Sequence, residues 1–382
     1  MSNAVALREA AERLGIALVA PLHGGGSSAT TWLGTDDRGT AVVVKCLSDV
    51  AGLLDGHDLE TFRTKPKQIA YLRDVAPLVA RRYPRILATV DDVHWTAHVF
   101  ERLDKLPLAD ALGLSGGDAG ARMLTEIWGR LAEEGYSQRR TPVDPNRLWH
   151  SLYMDRITRR QWLVRENAPS DLMAAPTVVI NGRVIRGLDR LLAEATDLGR
   201  IFAGAELAAP VHGDLNLRNI MTDPRKPEEA SLIDPRGTLA DWDPYYDLAK
   251  MLFSASIFDA GMAGGFVIER SGPEFTVFLK QPRDSDLMRC VELSLPRMAT
   301  DVRPRRTKAA TSHPVSHALL AHACHLIAEA ANRLSVRQDE PMRRHNRAMG
   351  LLLFGMLLFD DLVERRGRMA PEDIEEHLNL IV

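Results

Sequence analysis

The 382-residue sequence predicts an α+β protein of two lobes, a small β-rich amino-terminal lobe over residues 1–103 and a larger, mainly helical lobe over residues 104–382. Three observations agree with this prediction without deciding it. The first hundred residues alternate strand-like and helical segments, whereas those from about 104 onward read as mainly helical. The length is sufficient for two lobes, each with its own core. No internal repeat and no low-complexity tether separates the halves, so the lobes share one hinge.

The amino-terminal elements follow in order. Two strand-like runs, Ile16–Ala20 and Thr30–Gly34, flank His23-Gly24-Gly25-Gly26-Ser27-Ser28. Glycines let backbone amides approach a triphosphate, and serine hydroxyls add donors, so Gly25, Gly26, Ser27 and Ser28 are candidate phosphate contacts. A glycine-rich turn is more often only a turn. This one gains weight from what comes next, a β-branched run over Ala41–Val44 that reads as a buried strand and ends in a single Lys45. Further on, Ala97–Leu103 is apolar and then abruptly polar.

The catalytic candidates lie in the larger part. His212-Gly213-Asp214 is followed five positions after the aspartate by Asn219, and then by Leu232-Ile233-Asp234-Pro235-Arg236-Gly237. Two short apolar runs, Asn219–Thr222 and Ala230–Ile233, are separated by the turn chemistry of Asp223–Glu229. A hairpin between them brings Asn219 and Asp234 together although they are fifteen positions apart. The residue types suit phosphoryl transfer. Magnesium is a hard cation that takes oxygen ligands and keeps part of its shell for substrate phosphates, so one carboxylate (Asp234) and one amide oxygen (Asn219) suffice. Asp214 would accept the proton of an acceptor hydroxyl as the new P–O bond forms. A lone His-Gly-Asp is common by chance; the joint order and spacing are not.

This stretch resembles the catalytic and metal loops of the aminoglycoside phosphotransferase-like superfamily, which shares the protein-kinase-like fold. Asp241–Lys250 is similar to the superfamily's G-D-x-x-Y-D-L-A-K element, with Trp242 where a glycine is usual. Ile-Asp-Pro-Arg-Gly and Gly213 resemble the small-molecule and sugar kinase branch more than the protein kinases. The resemblance implies that Lys45 reaches the α- and β-phosphates of ATP. It also implies that the backbone from Glu101 to Leu103 reads the adenine edge at the hinge. It calls for a glutamate, on the helix after the lysine strand, as partner of Lys45. The only glutamate between Lys45 and Glu101 is Glu60, and Pro66 interrupts the helical periodicity beyond it. Glu60 is the expected partner; Gln68 as a neutral substitute, or Asp234 and phosphate alone, are the alternatives. Arg236 is expected to pair with Asp243 rather than to act on the phosphoryl group. Asp243 and Asp247 are expected to brace the catalytic loop and cap the helix at Leu248-Ala249-Lys250.

Other features bound the function. Pro176–Gly187, with an Asn-Gly type I′ turn, and Gly265–Lys280 read as two hairpins that either hold acceptor specificity or simply cover the lobe. His313, His317, His322 and His325, with Cys324, read as core or cleft-lining residues rather than a metal site. A net charge of −3 and a pI near 6.5 suggest no nucleic-acid partner. Cys46, Cys290 and Cys324 lie far apart and fit a reducing cytoplasm. No apolar run approaches a membrane span; Met349–Phe359, the longest, reads as a buried helix. Taken together these features lead to an ATP- and magnesium-dependent kinase acting on a hydroxyl of a sugar-like metabolite or an antibiotic. A nucleotide-binding pseudokinase is the alternative.

Overall fold

The computed structural model describes residues 2–22, 29–49, 58–209, 211–302, 313–335 and 340–381. A five-stranded antiparallel sheet of β1 (Ala17–Pro21), β2 (Thr30–Thr35), β3 (Ala41–Ser48), β4 (Ile86–Asp91) and β5 (Trp95–Glu101) is ordered β1-β2-β3-β5-β4. Helix α1 (Asn3–Leu14) covers one face. Alternation along β3 sends Val42, Val44 and Cys46 into a core with Ala6, Leu7, Ala10, Trp95, Ala97 and Val99. The same alternation turns Lys45 to the opposite face.

Helix α2 (Leu59–Val75) packs on that opposite side. It begins at Asp58, whose side chain accepts from the Thr61 N–H at 2.8 Å. The expected break at Pro66 does not occur, and Glu60 and Gln68 lie on one continuous helix. Pro66 removes a single backbone hydrogen bond, the one to the Phe62 carbonyl. His98 Nε2 on β5 takes up that carbonyl at 3.2 Å, and the two rings stack with centroids 4.7 Å apart. The second half of α2, Ile69 and Leu72, joins the core of the larger lobe.

After β5, residues 102–105 form a connector without regular structure. Leu106–Pro107 then pairs with Ile220–Thr222, which pairs in turn with Ser231–Leu232. The remainder is mainly helical. Its innermost elements are Pro314–Ser335 and Pro341–Glu364, both buried over most of their length. The helix Asp155–Asn167 is also packed on the first of these.

Both expected hairpins of the larger lobe form: Thr177–Ile180 with Arg183–Arg186, and Phe266–Ser271 with Glu274–Leu279. Asn181 (φ 50°) and Gly182 (φ 73°) have the positive φ values that a type I′ turn requires. The hairpins join into one four-stranded sheet because Glu274–Leu279 runs parallel to Thr177–Ile180. The side chain of Asn181 fastens the join, donating to the Val277 carbonyl at 2.9 Å and accepting from its N–H at 2.8 Å. Among the described residues, no helix is long and apolar enough to cross a membrane.

Candidate active site

The small sheet at the base of the cleft sets the site. The Ile233 N–H donates to the Asn219 carbonyl at 2.9 Å, which carries Asp234 to the side of Asn219. The catalytic loop before it is tied to itself. The Asp214 carbonyl accepts from the Asn216 N–H at 2.8 Å and from Asn219 Nδ2 at 2.8 Å. The Asn216 side chain accepts from the Arg218 and Asn219 N–H groups at 3.0 and 3.1 Å. The amide nitrogen of Asn219 is thus spent on the loop.

Asp247 braces this loop. Its buried carboxylate accepts from the His212 N–H (2.9 Å), the Gly213 N–H (2.8 Å) and the Tyr136 hydroxyl (2.8 Å). Burial pushes the Asp247 carboxyl up to about 7, against donors that favour its ionised form. His212 spans the two loops, with Nε2 donating to the Ile233 carbonyl at 2.9 Å and Nδ1 accepting from the Asp214 N–H at 3.2 Å. These partners fix its neutral tautomer, and burial lowers its pKa to about 4. Gly213 has φ 77°, and a Cβ there would lie 2.7 Å from Arg236 Cβ. Glycine is required for both reasons.

Asp234 sits in the left-handed region (φ 57°). Lys45 Nζ is 2.5 Å from its Oδ2, and Lys65 Nζ on α2 pairs with its Oδ1. Burial alone would raise the Asp234 carboxyl, but the two ammonium groups outweigh it and hold the group far below its usual range. Burial pulls Lys45 below its ordinary value and Lys65 adds to that, while Asp234 opposes both. Asp214 has its own cation: Lys250 Nζ lies 2.8 Å from Oδ1. Burial raises Asp214, and Lys250 more than offsets the rise, so the carboxylate stays ionised.

Several expectations are corrected by these contacts. Glu60 is exposed in the first turn of α2 and, among the described residues, forms no ion pair with Lys45. Gln68 is not its substitute. The Gln68 Nε2 donates to the Val211 carbonyl at 2.7 Å, and Oε1 accepts from the Gly237 and Thr238 N–H groups at 2.7 and 3.0 Å. Three positions from Gln68, Lys65 shares the cleft-facing side of α2. Arg236 does not pair with Asp243. Its guanidinium carbon lies 5.4 Å from the Trp242 ring centroid and 5.9 Å from that of Tyr246. Asp243 is occupied by His317 Nε2 at 2.6 Å, the Tyr245 N–H at 3.1 Å and the Tyr153 hydroxyl.

The remaining candidates divide. Gly25, Gly26, Ser27 and Ser28 lie outside the described residues. The Glu101 carboxylate is held by Arg85, through its N–H at 2.9 Å and Nε at 2.7 Å. Among the described residues Leu103 makes no backbone hydrogen bond. His317 stacks on Tyr245 with centroids 3.9 Å apart, and His322 and His325 are buried. Among the described residues no three His, Cys, Asp or Glu side chains are grouped to hold a metal ion. Sequence reasoning gave no role to Lys65 or Lys250. Lys250 is recognisable by its place three residues after Asp247, whereas no local pattern marks Lys65.

The sequence profile of the Phosphotransferase enzyme family (APH) matches residues 19–277, a span that holds every residue of this site. The chain belongs to that family. A solved structure shares the fold. An amicoumacin kinase in complex with AMP-PNP, Ca2+ and Ami is 11% identical, with a TM-score of 0.52 over 98% of this chain and 97% of the other. An aminoglycoside-3'-phosphotransferase of type VIII is 18% identical, with a TM-score of 0.48 over 86% of this chain and 98% of the other. A search of curated proteins by sequence found no match. The fold is the two-lobed, protein-kinase-like α+β fold.

Proposed function

We propose that the protein is an ATP-dependent kinase that moves the γ-phosphoryl group to a hydroxyl of a small molecule, with magnesium as the divalent cation. The observation that carries this reading is the convergence of Asn219 and Asp234 at one short hairpin, with Asp214 tied to Asn219 in the loop before it and Lys45 reaching Asp234 from the other lobe at 2.5 Å. In the reaction the acceptor oxygen bonds to the γ-phosphorus as the bond from that phosphorus to the β–γ bridging oxygen breaks. ADP leaves with the electron pair, and the hydroxyl proton passes to Asp214. A carboxylate kept below its ordinary pKa is a weak base, which suits a loose transition state in which the proton leaves late.

The residues present fit a magnesium ion. Asp234 offers a carboxylate held ionised, and Asn219 offers an amide oxygen whose nitrogen is already committed. Two protein oxygens leave positions for phosphate and water, as magnesium prefers. Bound there, the ion would neutralise charge on the phosphates. Lys45 and Lys65, now on Asp234, would be released to the phosphate oxygens, and Leu103 would present its amide to the base. The lobes would divide at residues 101–103. Three buried, unpaired cysteines are consistent with a cytoplasmic setting. Nothing in the site favours a pseudokinase: without a helix glutamate, Lys45 pairs with Asp234, and Asp214 and Asn219 are in place beside it.

The test is ATP-dependent mass gain of one phosphate across sugars, nucleosides and antibiotics, run beside magnesium-dependent ATP hydrolysis in the absence of acceptor. A kinase phosphorylates at least one acceptor and leaks slowly to water. Absence of both activities in a protein that binds nucleotide would overturn the reading.

A further inference from the structure

We propose that the acceptor carries a negative charge, a carboxylate or a phosphate monoester, bound by Arg156 and Arg236 on a basic wall beside Asp214. This rests on the kinase reading above and names the chemistry of its second substrate.

Two guanidinium groups converge on one tyrosine ring. Arg156, on the helix Asp155–Asn167, donates to the Tyr246 hydroxyl, and its guanidinium carbon lies 5.2 Å from that ring's centroid. Arg236 approaches the same ring at 5.9 Å and Trp242 at 5.4 Å. Among the described residues neither arginine forms an ion pair with a carboxylate, and Arg156 Nε is buried with no hydrogen-bond partner. Lys250 adds a third cation, on Asp214 at 2.8 Å and 3.4 Å from His325 Nε2.

Burial lowers Arg156, and Tyr246, Glu329 and Asp214 more than offset it, yet neither carboxylate lies within ion-pair distance of it. Glu329, on the helix Pro314–Ser335, already accepts from Arg333 Nε at 2.8 Å and Asn332 Nδ2 at 3.1 Å. Asp214 is matched by Lys250. Burial pushes the Tyr246 phenol up, yet Arg156, Arg236 and Lys250 together pull it below its ordinary value, as a positive field does.

The wall adjoins the reacting groups. The stem of Arg236 lies against Gly213, and its backbone N–H donates to the His212 carbonyl at 2.8 Å. Asp214 is the next residue, with a third of its side chain exposed. Gathering like charges in a half-buried wall is unfavourable unless a counter-charge arrives, and planar guanidinium forks suit carboxylate and phosphate oxygens. A polycationic acceptor would meet repulsion at the same place.

The test uses matched sugars: glucose 6-phosphate and glucuronate as anions, glucose as the neutral parent and glucosamine as the cation. Each is titrated calorimetrically into the full chain saturated with magnesium and AMP-PNP, and each is assayed for phosphorylation with ATP. The expected result is binding of at least one anion about tenfold tighter than glucose, about 1.4 kcal/mol. Glucosamine should bind weakest. Arg156→Glu and Arg236→Glu should each abolish the anion's advantage and raise acceptor KM more than ATP KM. The inference is overturned if neither anion binds, if glucose or glucosamine binds as tightly, or if the variants raise ATP KM instead, which would place the arginines on the nucleotide. The kinase reading fails separately, through absence of ATP turnover, which the sugar titrations with AMP-PNP do not depend on.

Discussion

Asp234 concentrates the chemistry of the site in one residue. Its left-handed backbone is uncommon outside glycine, though aspartate tolerates it better than most, and such conformations gather at functional positions. Its carboxylate is held by two lysines. If both pass to phosphate when nucleotide and cation bind, Lys65 should matter nearly as much as Lys45. Lys65→Met is expected to lower kcat/KM for ATP by about ten- to hundredfold, the equivalent of one charge-assisted hydrogen bond. Steady-state kinetics at varied ATP would show it, and an unchanged value would remove Lys65 from the phosphate site. Gly213 gives a second expectation. Gly213→Ala forces a Cβ to within 2.7 Å of Arg236 Cβ at a φ of 77°, so it should cost about 1–3 kcal/mol in urea unfolding and displace Asp214. Asp214, Asn219 and Asp234 were legible in the sequence because their spacing is local to one hairpin. Lys65 was not, because its partner is 169 positions away and no local pattern encodes that contact.

Helix α2 and the paired hairpins show how elements are placed by side chains from elsewhere. A proline in mid-helix reads as a break, and the sequence carries no sign that His98 will take the orphaned Phe62 carbonyl. Gln68 then couples α2 to both loops of the site, through Val211 on one side and Gly237 and Thr238 on the other. Gln68→Leu leaves those buried backbone groups without partners, at a cost of about 1–3 kcal/mol each. Its measurable sign should be faster amide exchange at Gly237 and Thr238 than in the wild type, and unchanged exchange there would contradict the role given to Gln68. The two hairpins of the larger lobe were readable from Asn-Gly and from alternation, but their joining into one sheet was not. That join rests on Asn181, and Asn181→Ala should lower stability by about 2–4 kcal/mol through two lost hydrogen bonds and a left-handed alanine. Loss of less than half that amount in equilibrium denaturation would mean that the sheet is held by its apolar face alone.

At the scale of the molecule, α2 links the two lobes: Leu59 and Phe62 pack with Leu47 of β3, Ile69 and Leu72 join the core of the larger lobe, and Lys65 between them reaches Asp234. Length and the strand-to-helix shift made that division visible in the sequence; the charge of the cleft wall was not visible, because Arg156, Arg236 and Lys250 come from three separate segments. Buried histidines give the molecule a pH signature. Burial lowers His98 and His212 to about 4, His322 to about 3 and His325 well below its usual value. A depressed histidine contributes stability that is complete above its unfolded pKa, near 6.5, and lost as pH falls through its folded value. Asp247, raised to about 7, works in the opposite sense, but it is one group against four. Melting temperature should therefore fall between about pH 6.5 and 4, before most carboxylates titrate, and a flat profile across that window would show that these histidines protonate freely in the folded state. The central claim is phosphoryl transfer with Asp214 as the base. It is tested most directly by transfer from γ-labelled ATP to an acceptor in wild type and Asp214→Ala, with AMP-PNP affinity measured on both. The account predicts a loss of transfer of about 10²–10⁴-fold with nucleotide affinity retained; wild-type transfer by the variant would contradict it.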